Sequence, residues 1–287
     1  MKIYQSNAPF PTRVDALVSL IASKKESMSS KEIKEILSPS FMGNDDLFND
    51  LLNSVVESGI LLQEHGLVSL VDQTPSGMKI DKKSVKANFP MLFADFVLQA
   101  NLPNGDENSF ALLAAWFLKQ DPLTLPPSSK KDRLVAKMED AGFDVQSLRL
   151  NNNAQQDNFI AWCNYLGLCT LLHERMIPDP TTFLRWHWNE FKDLAESKTL
   201  EITEFYSKVG QLCPVLDSGA VWEKIKVKEP AYPEGYFSKS LSLAMIRLEA
   251  EGCFKINYEA ETREGRAINV YQNSETTKSA TKLIKVA

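Results

Sequence analysis

Apolar positions recur three and four residues apart along most of the chain, and they alternate with polar ones in only two short stretches, one near each end. The first helix is predicted from Val14, Leu17, Val18 and Ile21, with Thr12 as its N-cap after the lead Ala8-Pro9-Phe10-Pro11. Ser29-Ser30-Lys31-Glu32 has the form of a capping box ahead of Ile33, Ile36 and Leu37. A third helix carries Leu47, Phe48, Leu51, Leu52, Val55 and Val56 to a stop at Gly59. The segment from Ile60 to Val71 then reads as two strands about a tight turn at His65-Gly66. Three short helices followed by a hairpin predict a winged-helix domain over residues 1–72, its second and third helices forming a helix-turn-helix.

Helical spacing predicts an all-α middle domain over 83–198, with breakers at Leu102-Pro103-Asn104-Gly105 and Leu125-Pro126-Pro127. A second winged helix is expected over 199–273. There Ser238-Lys239-Ser240 caps a helix through Leu241, Met245 and Leu248 to Gly252. Residues 253–258 and 267–271 alternate as a hairpin, and 274–287 is left as a tail. Shifting the N-terminal end by 193 residues lays Phe48 on Leu241, Leu52 on Met245, Val55 on Leu248 and Gly59 on Gly252. The predicted fold class is therefore mainly α with small β-hairpins, a winged helix on either side of a helical domain.

Charge makes the two ends unequal. The chain carries a net charge of -5, whereas duplex binding rewards a basic surface. Residues 1–72 hold six Lys/Arg against ten Asp/Glu, and the third helix presents Asp45, Asp46, Asp50 and Glu57 with no Lys or Arg. Carboxylates repel phosphates, so these four are the expected contacts to a partner protein. Residues 200–287 hold twelve of each sign, and Lys239, Ser240, Ser242, Arg247, Lys255, Arg263 and Arg266 are the expected contacts to double-stranded DNA, with the serines beside a helix N-terminus. Interleaved glutamates leave an ordinary mixed surface as the competing reading.

Nothing in the sequence has the form of a known active site. No phosphate loop or dinucleotide fingerprint is present, and His65, His173 and His187 lie outside any nucleophile or metal motif. Cys163, Cys169 and His173 have the wrong spacing for structural zinc, so no metal or cofactor is expected and the four cysteines read as core thiols. Trp186-His187-Trp188, with Trp162 and Tyr165, reads as core rather than as a base-stacking platform. With no apolar run long enough for a membrane span and no export signal, a cytoplasmic location is expected.

Ser6-Asn7-Ala8-Pro9-Phe10-Pro11-Thr12-Arg13, the stretch Phe159 to Leu168, and Leu241 to Gly252 resemble the DpdG family of bacterial islands that insert 7-deazaguanine derivatives into DNA and restrict foreign DNA. The resemblance implies an accessory protein of an antiviral modification–restriction system, acting beside helicase-like and nuclease-like proteins of the same island. It supplies no catalytic residues. The expected function is a non-enzymatic DNA-associated adaptor, its C-terminal winged helix on duplex DNA and its N-terminal one on a partner. The alternatives are a structural subunit without DNA contact and a dimeric winged-helix regulator of transcription.

Overall fold

The computed structural model describes residues 3–5, 8–24, 26–39, 45–122, 131–140, 142–144, 150, 152–173, 175–194, 199–225, 235–259, 265–268 and 279–285. In chain order the elements are α1 (Pro11–Ser23), β1 (Met28–Ser29), α2 (Ser30–Leu37), α3 (Asp45–Ser58), β2 (Leu61–Glu64), β3 (Leu67–Leu70), α4 (Lys82–Val97), α5 (Ser109–Leu118), α6 (Lys131–Asp140) and α7 (Asn153–Tyr165). There follow β4 (Cys169–Leu172), β5 (Arg175–Pro178), α8 (Thr181–Trp186), α9 (Trp188–Leu194), β6 (Thr199–Glu201), α10 (Ile202–Leu212), α11 (Lys239–Ala250), β7 (Phe254–Glu259), β8 (Arg266–Ala267) and β9 (Ser279–Lys285). About half the protein is helical, and the sheets are small and antiparallel. The chain divides into two compact units, residues 1–111 with 143–166 and residues 112–142 with 167–287. These lines differ from the expected domain limits, because the segment 83–198 is shared between the two units.

In the first unit, α1 begins at Pro11, whose fixed φ suits the first helical position, so Phe10 and not Thr12 is the cap residue. Val14, Leu17, Val18 and Ile21 are buried on one stripe, as their spacing requires. Ser29 caps α2 and closes a reciprocal box with Glu32. The three-stranded sheet has the order β1-β3-β2. The expected hairpin is present, and Met28 and Ser29 add the unforeseen strand β1 along β3. His65 and Gly66 turn the hairpin with positive φ at both positions, the conformation a tight two-residue hairpin turn requires. Gly59 also has positive φ, and a Cβ there would come within 2.7 Å of the Pro103 ring.

The N-terminal residues are part of this core. Ile3 and Tyr4 are fully buried. The Trp162 indole N–H of α7 donates to the carbonyls of Ile3 (3.0 Å) and Pro9 (2.8 Å), while the Gln155 amide donates to Gln5 (3.1 Å). The Tyr165 hydroxyl donates to Asp15 of α1 at 3.1 Å. Trp162 also packs against Phe93, with ring centres 5.1 Å apart, and is core as expected.

In the second unit, three corrections apply. The segment 83–198, expected to be all helical, instead breaks at Gly167, φ +71°, and continues as the hairpin β4–β5. Among the described residues strand β7 pairs with β9, from the stretch expected as a tail, and not with Ala267 or Ile268; 269–271 of the expected strand lie outside the described residues. Strand β8 pairs with β9 as well, so the sheet has the order β6-β9-β7 with β8 on β9. Strand β9 is thus the strand to which every other member of this sheet bonds. Leu283 and Ala280 are buried from it.

One local order recurs. At both ends a strand leads straight into a helix and pairs with a later strand that also bonds the strand after the glycine stop, giving β1-β3-β2 and β6-β9-β7. Helices α3 and α11 both stop at a positive-φ glycine, Gly59 and Gly252, before β2 and β7. A third passage, α7–Gly167–β4–β5, repeats the spacing of the first: Leu61 corresponds to Cys169 and Leu67 to Arg175, 108 residues on in each case. Its turn residue His173 has φ +52° where His65 has +51°.

Deleting residues 279–287 removes the partner of β6, β7 and β8 at once. The expected result is loss of hydrogen-exchange protection at the amides of Phe254–Glu259 and Thr199–Glu201. Retained protection there would contradict the central role of β9.

Candidate functional site

Helix α11 was expected to offer a polar start to phosphate, and its polar groups are consumed inside the second unit. Ser238 caps the helix by accepting from the Leu241 N–H at 3.1 Å, and its own N–H donates to Asp217 Oδ2 at 2.7 Å. Ser240 is fully buried and donates to the Leu118 carbonyl at 2.7 Å, and Ser242 is also fully buried. Lys239 is 8% exposed and forms an ion pair with Asp121, which is 10% exposed. Lys239, Ser240 and Ser242 therefore face the protein and not solvent, which corrects their assignment as DNA contacts.

The remaining cations are partly engaged. Arg247 donates to Asp179 Oδ2, and Asp179 is 1% exposed and also accepts from Thr170 Oγ1 (2.7 Å) and the Thr181 N–H (3.1 Å). Arg247 is thus the counter-ion of a buried carboxylate, and it joins α11 to residues flanking β4–β5. Beside it Arg185 of α8 makes a two-pronged bond to Glu251 at 2.6 to 2.9 Å, and that bond holds the guanidinium pKa above its ordinary value. Arg266 lies 3.4 Å over the Tyr206 ring and donates to the Tyr236 carbonyl. Lys255 is exposed on β7, and Arg263 lies outside the described residues.

Asp217 belongs to the same polar cluster. Its Oδ1 is buried without a hydrogen-bond partner among the described residues. Burial pushes its carboxyl up to about 6, against the pull of the Ser238 hydrogen bonds and of Arg266. Lys119, whose ammonium donates to the Ile225 carbonyl at 2.7 Å and lies over Trp222, is lowered by burial.

Helix α3 has the opposite character. Phe48, Leu51, Leu52 and Val55 are buried, while Asp46, Asn49, Asp50 and Asn53 are exposed. Glu57 is half-buried; Asp45 opens the helix, and its side chain lies outside the described residues. Beside this face a cleft of about 320 Å³ lies between α1, α2 and α3, lined by Arg13, Ala16, Leu37, Leu47, Phe48 and Leu51. Sequence reasoning placed Leu47, Phe48 and Leu51 on an inner stripe, and nothing in their spacing separates a filled core from an open cleft.

The histidines and cysteines are dispersed. His65 and His173 are exposed turn residues, and His187 is buried on Phe183 with Nδ1 2.6 Å from Glu190. That bond holds the Glu190 carboxyl below its usual range. His187 Nε2 is buried without a hydrogen-bond partner among the described residues. The cysteines are free, and among the described residues no cluster of three His, Cys, Asp or Glu side chains has the arrangement of a metal site. No described helix is long and apolar enough to cross a membrane.

These features define a mainly helical protein in which α11 is locked into its unit and α3 shows an acidic, clefted face. The chain belongs to the DpdG-like family, whose model matches residues 1–261. Membership points to a role in the dpd, or 7-deazaguanine, modification system. The match ends before β9. Neither the curated proteins nor the solved structures contain a match.

Two measurements test these assignments. Arg247→Ala leaves Asp179 buried without its cation and is expected to cost about 2 kcal/mol of unfolding free energy, discounted for the half-exposed guanidinium. A residue serving only duplex binding would leave the denaturation midpoint unchanged. For Asp217, a folded pKa near 6 against an ordinary 3.8 means that the fold favours the neutral acid. Its stabilising contribution is complete below 3.8 and is lost as pH rises through 6, by about 3 kcal/mol over the whole range. Asp217→Asn keeps the neutral form at every pH. The stability difference between the variant and the natural chain should therefore change across pH 4 to 7, and a constant difference would refute the buried, high-pKa carboxyl.

Proposed function

We propose that this chain is a non-enzymatic adaptor of the DNA modification–restriction system indicated by its family, and that it works through protein contacts. The order helix, strand, helix, helix, hairpin reads as a winged helix over the N-terminal residues. The matching sheet orders extend that reading to the C-terminal residues. In a DNA-reading winged helix, the last helix enters the major groove with free polar and basic side chains. Here α11 has its lysine and serines buried, and α3 has its polar face free but with carboxylates and no cation. The single observation that carries the proposal is this exchange: the helix with cations is enclosed, and the exposed helix repels phosphate.

The reading in which the C-terminal module touches duplex DNA keeps some support from Lys255, exposed on β7, and from Lys282, paired only at the surface with Glu201 at 3.3 Å. Lys224 is exposed as well, while Lys226, Lys228, Arg263 and Lys278 lie outside the described residues; each phosphate neutralised adds a modest, salt-dependent gain.

The full-length protein, tagged and recovered from cells carrying the whole system, is expected to retain its partner proteins after nuclease treatment. It should give no duplex gel shift at about 10 µM protein and low salt, where even non-specific binders shift. Loss of every partner on nuclease treatment, or a shift abolished by Lys255→Ala, would replace the adaptor reading with a DNA-contacting one.

A further inference from the structure

The cleft beside α3 has a shape and a charge pattern that go further than partner docking in general, and the inference drawn from them rests on the adaptor reading above. Its floor is apolar, made by Phe48 and Leu51, with the half-buried Leu37 and Leu47 at its sides. Its volume of about 320 Å³ compares with the roughly 150 Å³ of an engineered cavity that admits benzene. It is therefore large enough for one or two bulky apolar side chains.

Two further apolar residues stand out to solvent on the same elements. Ile36, next to Leu37 on α2, is 52% exposed, and Phe10, one turn before Arg13 on α1, is 40% exposed. Neither is among the described lining residues, and single exposed apolar residues need no explanation, so the cleft itself carries the argument.

The charge pattern selects the occupant. On α3 the pairs Leu47 and Leu51, and Asp46 and Asp50, are each four residues apart, so an apolar row and an acidic row run side by side along the first turns. The helix contains no Lys or Arg. Carboxylates near a helix N-terminus also favour the helix dipole, and that alone would account for Asp46. It does not account for Asp50, which is beyond the first turn, or for an open apolar cleft alongside. The acidic row repels phosphate and stands on the rim, since the charged residue among the described lining of the cleft is Arg13 of α1.

We propose that this cleft receives the apolar anchor residues of a basic amphipathic helix of a partner protein, whose Lys or Arg flank lies along Asp46 and Asp50. Apolar residues three or four apart on that helix enter between α1, α2 and α3, the arrangement in which an amphipathic helix fills a groove. Its cations answer the carboxylates, which sets orientation and raises the rate of encounter.

The test uses a fluorescent synthetic peptide of Leu and Lys with its leucines on one helical stripe. Its anisotropy is read against the full chain, beside a scrambled peptide of the same composition and a Leu/Glu peptide of the same pattern. The striped Leu/Lys peptide is expected to bind at least about ten-fold more tightly than either control. Ala16→Trp, at an exposed cleft position, should weaken it by at least about ten-fold by filling the cleft, and Asp46→Lys with Asp50→Lys by a similar factor that shrinks at high salt. If Ala16→Trp perturbs the circular dichroism spectrum, cross-linking from a photoreactive leucine in the peptide replaces it, and the cross-links must fall on α3. Equal binding of the three peptides, unchanged affinity in the folded variants, or cross-links elsewhere would overturn the proposal. If those failures occur while nuclease-resistant partners persist, the docking face is elsewhere and the adaptor reading stands; if the partners are lost as well, that reading falls too.

Discussion

Lys239 and Asp121 are withdrawn from water together, 8% and 10% exposed, at the first turn of α11. A lysine in such a place is tolerable only with its counter-charge held against it, because an ammonium stripped of water without one costs several kcal/mol. The pair therefore fixes where α11 begins. Ser238 and Ser240 fix it again, through Asp217 and the Leu118 carbonyl. With its start immobilised, the helix carries Arg247, two turns on, to the buried Asp179, and its end delivers Glu251 to Arg185. The geometry of this part of the second unit follows from one helix that cannot shift without exposing or orphaning a charge.

That constraint bears on function, because an enclosed helix is unavailable to a groove. A reading helix keeps its polar residues free until nucleic acid arrives. In α11 those residues already have partners, and breaking the Lys239 pair to reach phosphate would leave Asp121 charged and nearly buried. The energy gained at one phosphate, modest in water and smaller in salt, does not offset that cost. In the first unit the balance is reversed. The interior is secured by Trp162 and by the buried N-terminal residues, so α3 holds its inner face in the core and leaves its acidic face without a structural task in the interior.

Local chemistry made much of this visible in the sequence. The Ser29–Glu32 box, the stops at Gly59 and Gly252 and the turn at His65-Gly66 are read from neighbouring residues, because capping and positive φ are decided within a few positions. What escaped depends on distance. Strands β1 and β6 are two and three residues long, too short to show a period, and exist because a remote strand accepts them. Strand β9 has a register shift against β7 between Asn257 and Tyr258, which breaks the alternation that would have marked the tail as a strand. The partner of Lys239 is 118 residues away, so a lysine flanked by serines looked like surface. The hairpin β4–β5 was the avoidable miss. Gly167 punctuates the apolar run as Gly59 does, and the hairpin follows it directly.

The three passages share one backbone instruction, a helix stopped by a left-handed glycine and followed by an antiparallel strand, which closes a hairpin after Gly59 and Gly167 and pairs with the later β9 after Gly252. The outward residues distinguish them. In α7 those positions are used by Trp162, Gln155 and Tyr165 to hold the N-terminal residues and α1, and in α11 by Lys239, Ser240 and Arg247 to hold the second unit together. A helix that spends its side chains on internal bonds gains stability and loses the freedom to recognise. Helix α3 spends none of its exposed carboxylates at Asp46 or Asp50 on an ion pair among the described residues, and it borders the cleft. The recognition proposed for this chain therefore rests on the one of these helices whose outer face has no internal use, and the sign of that face sets the charge of the partner proposed for it.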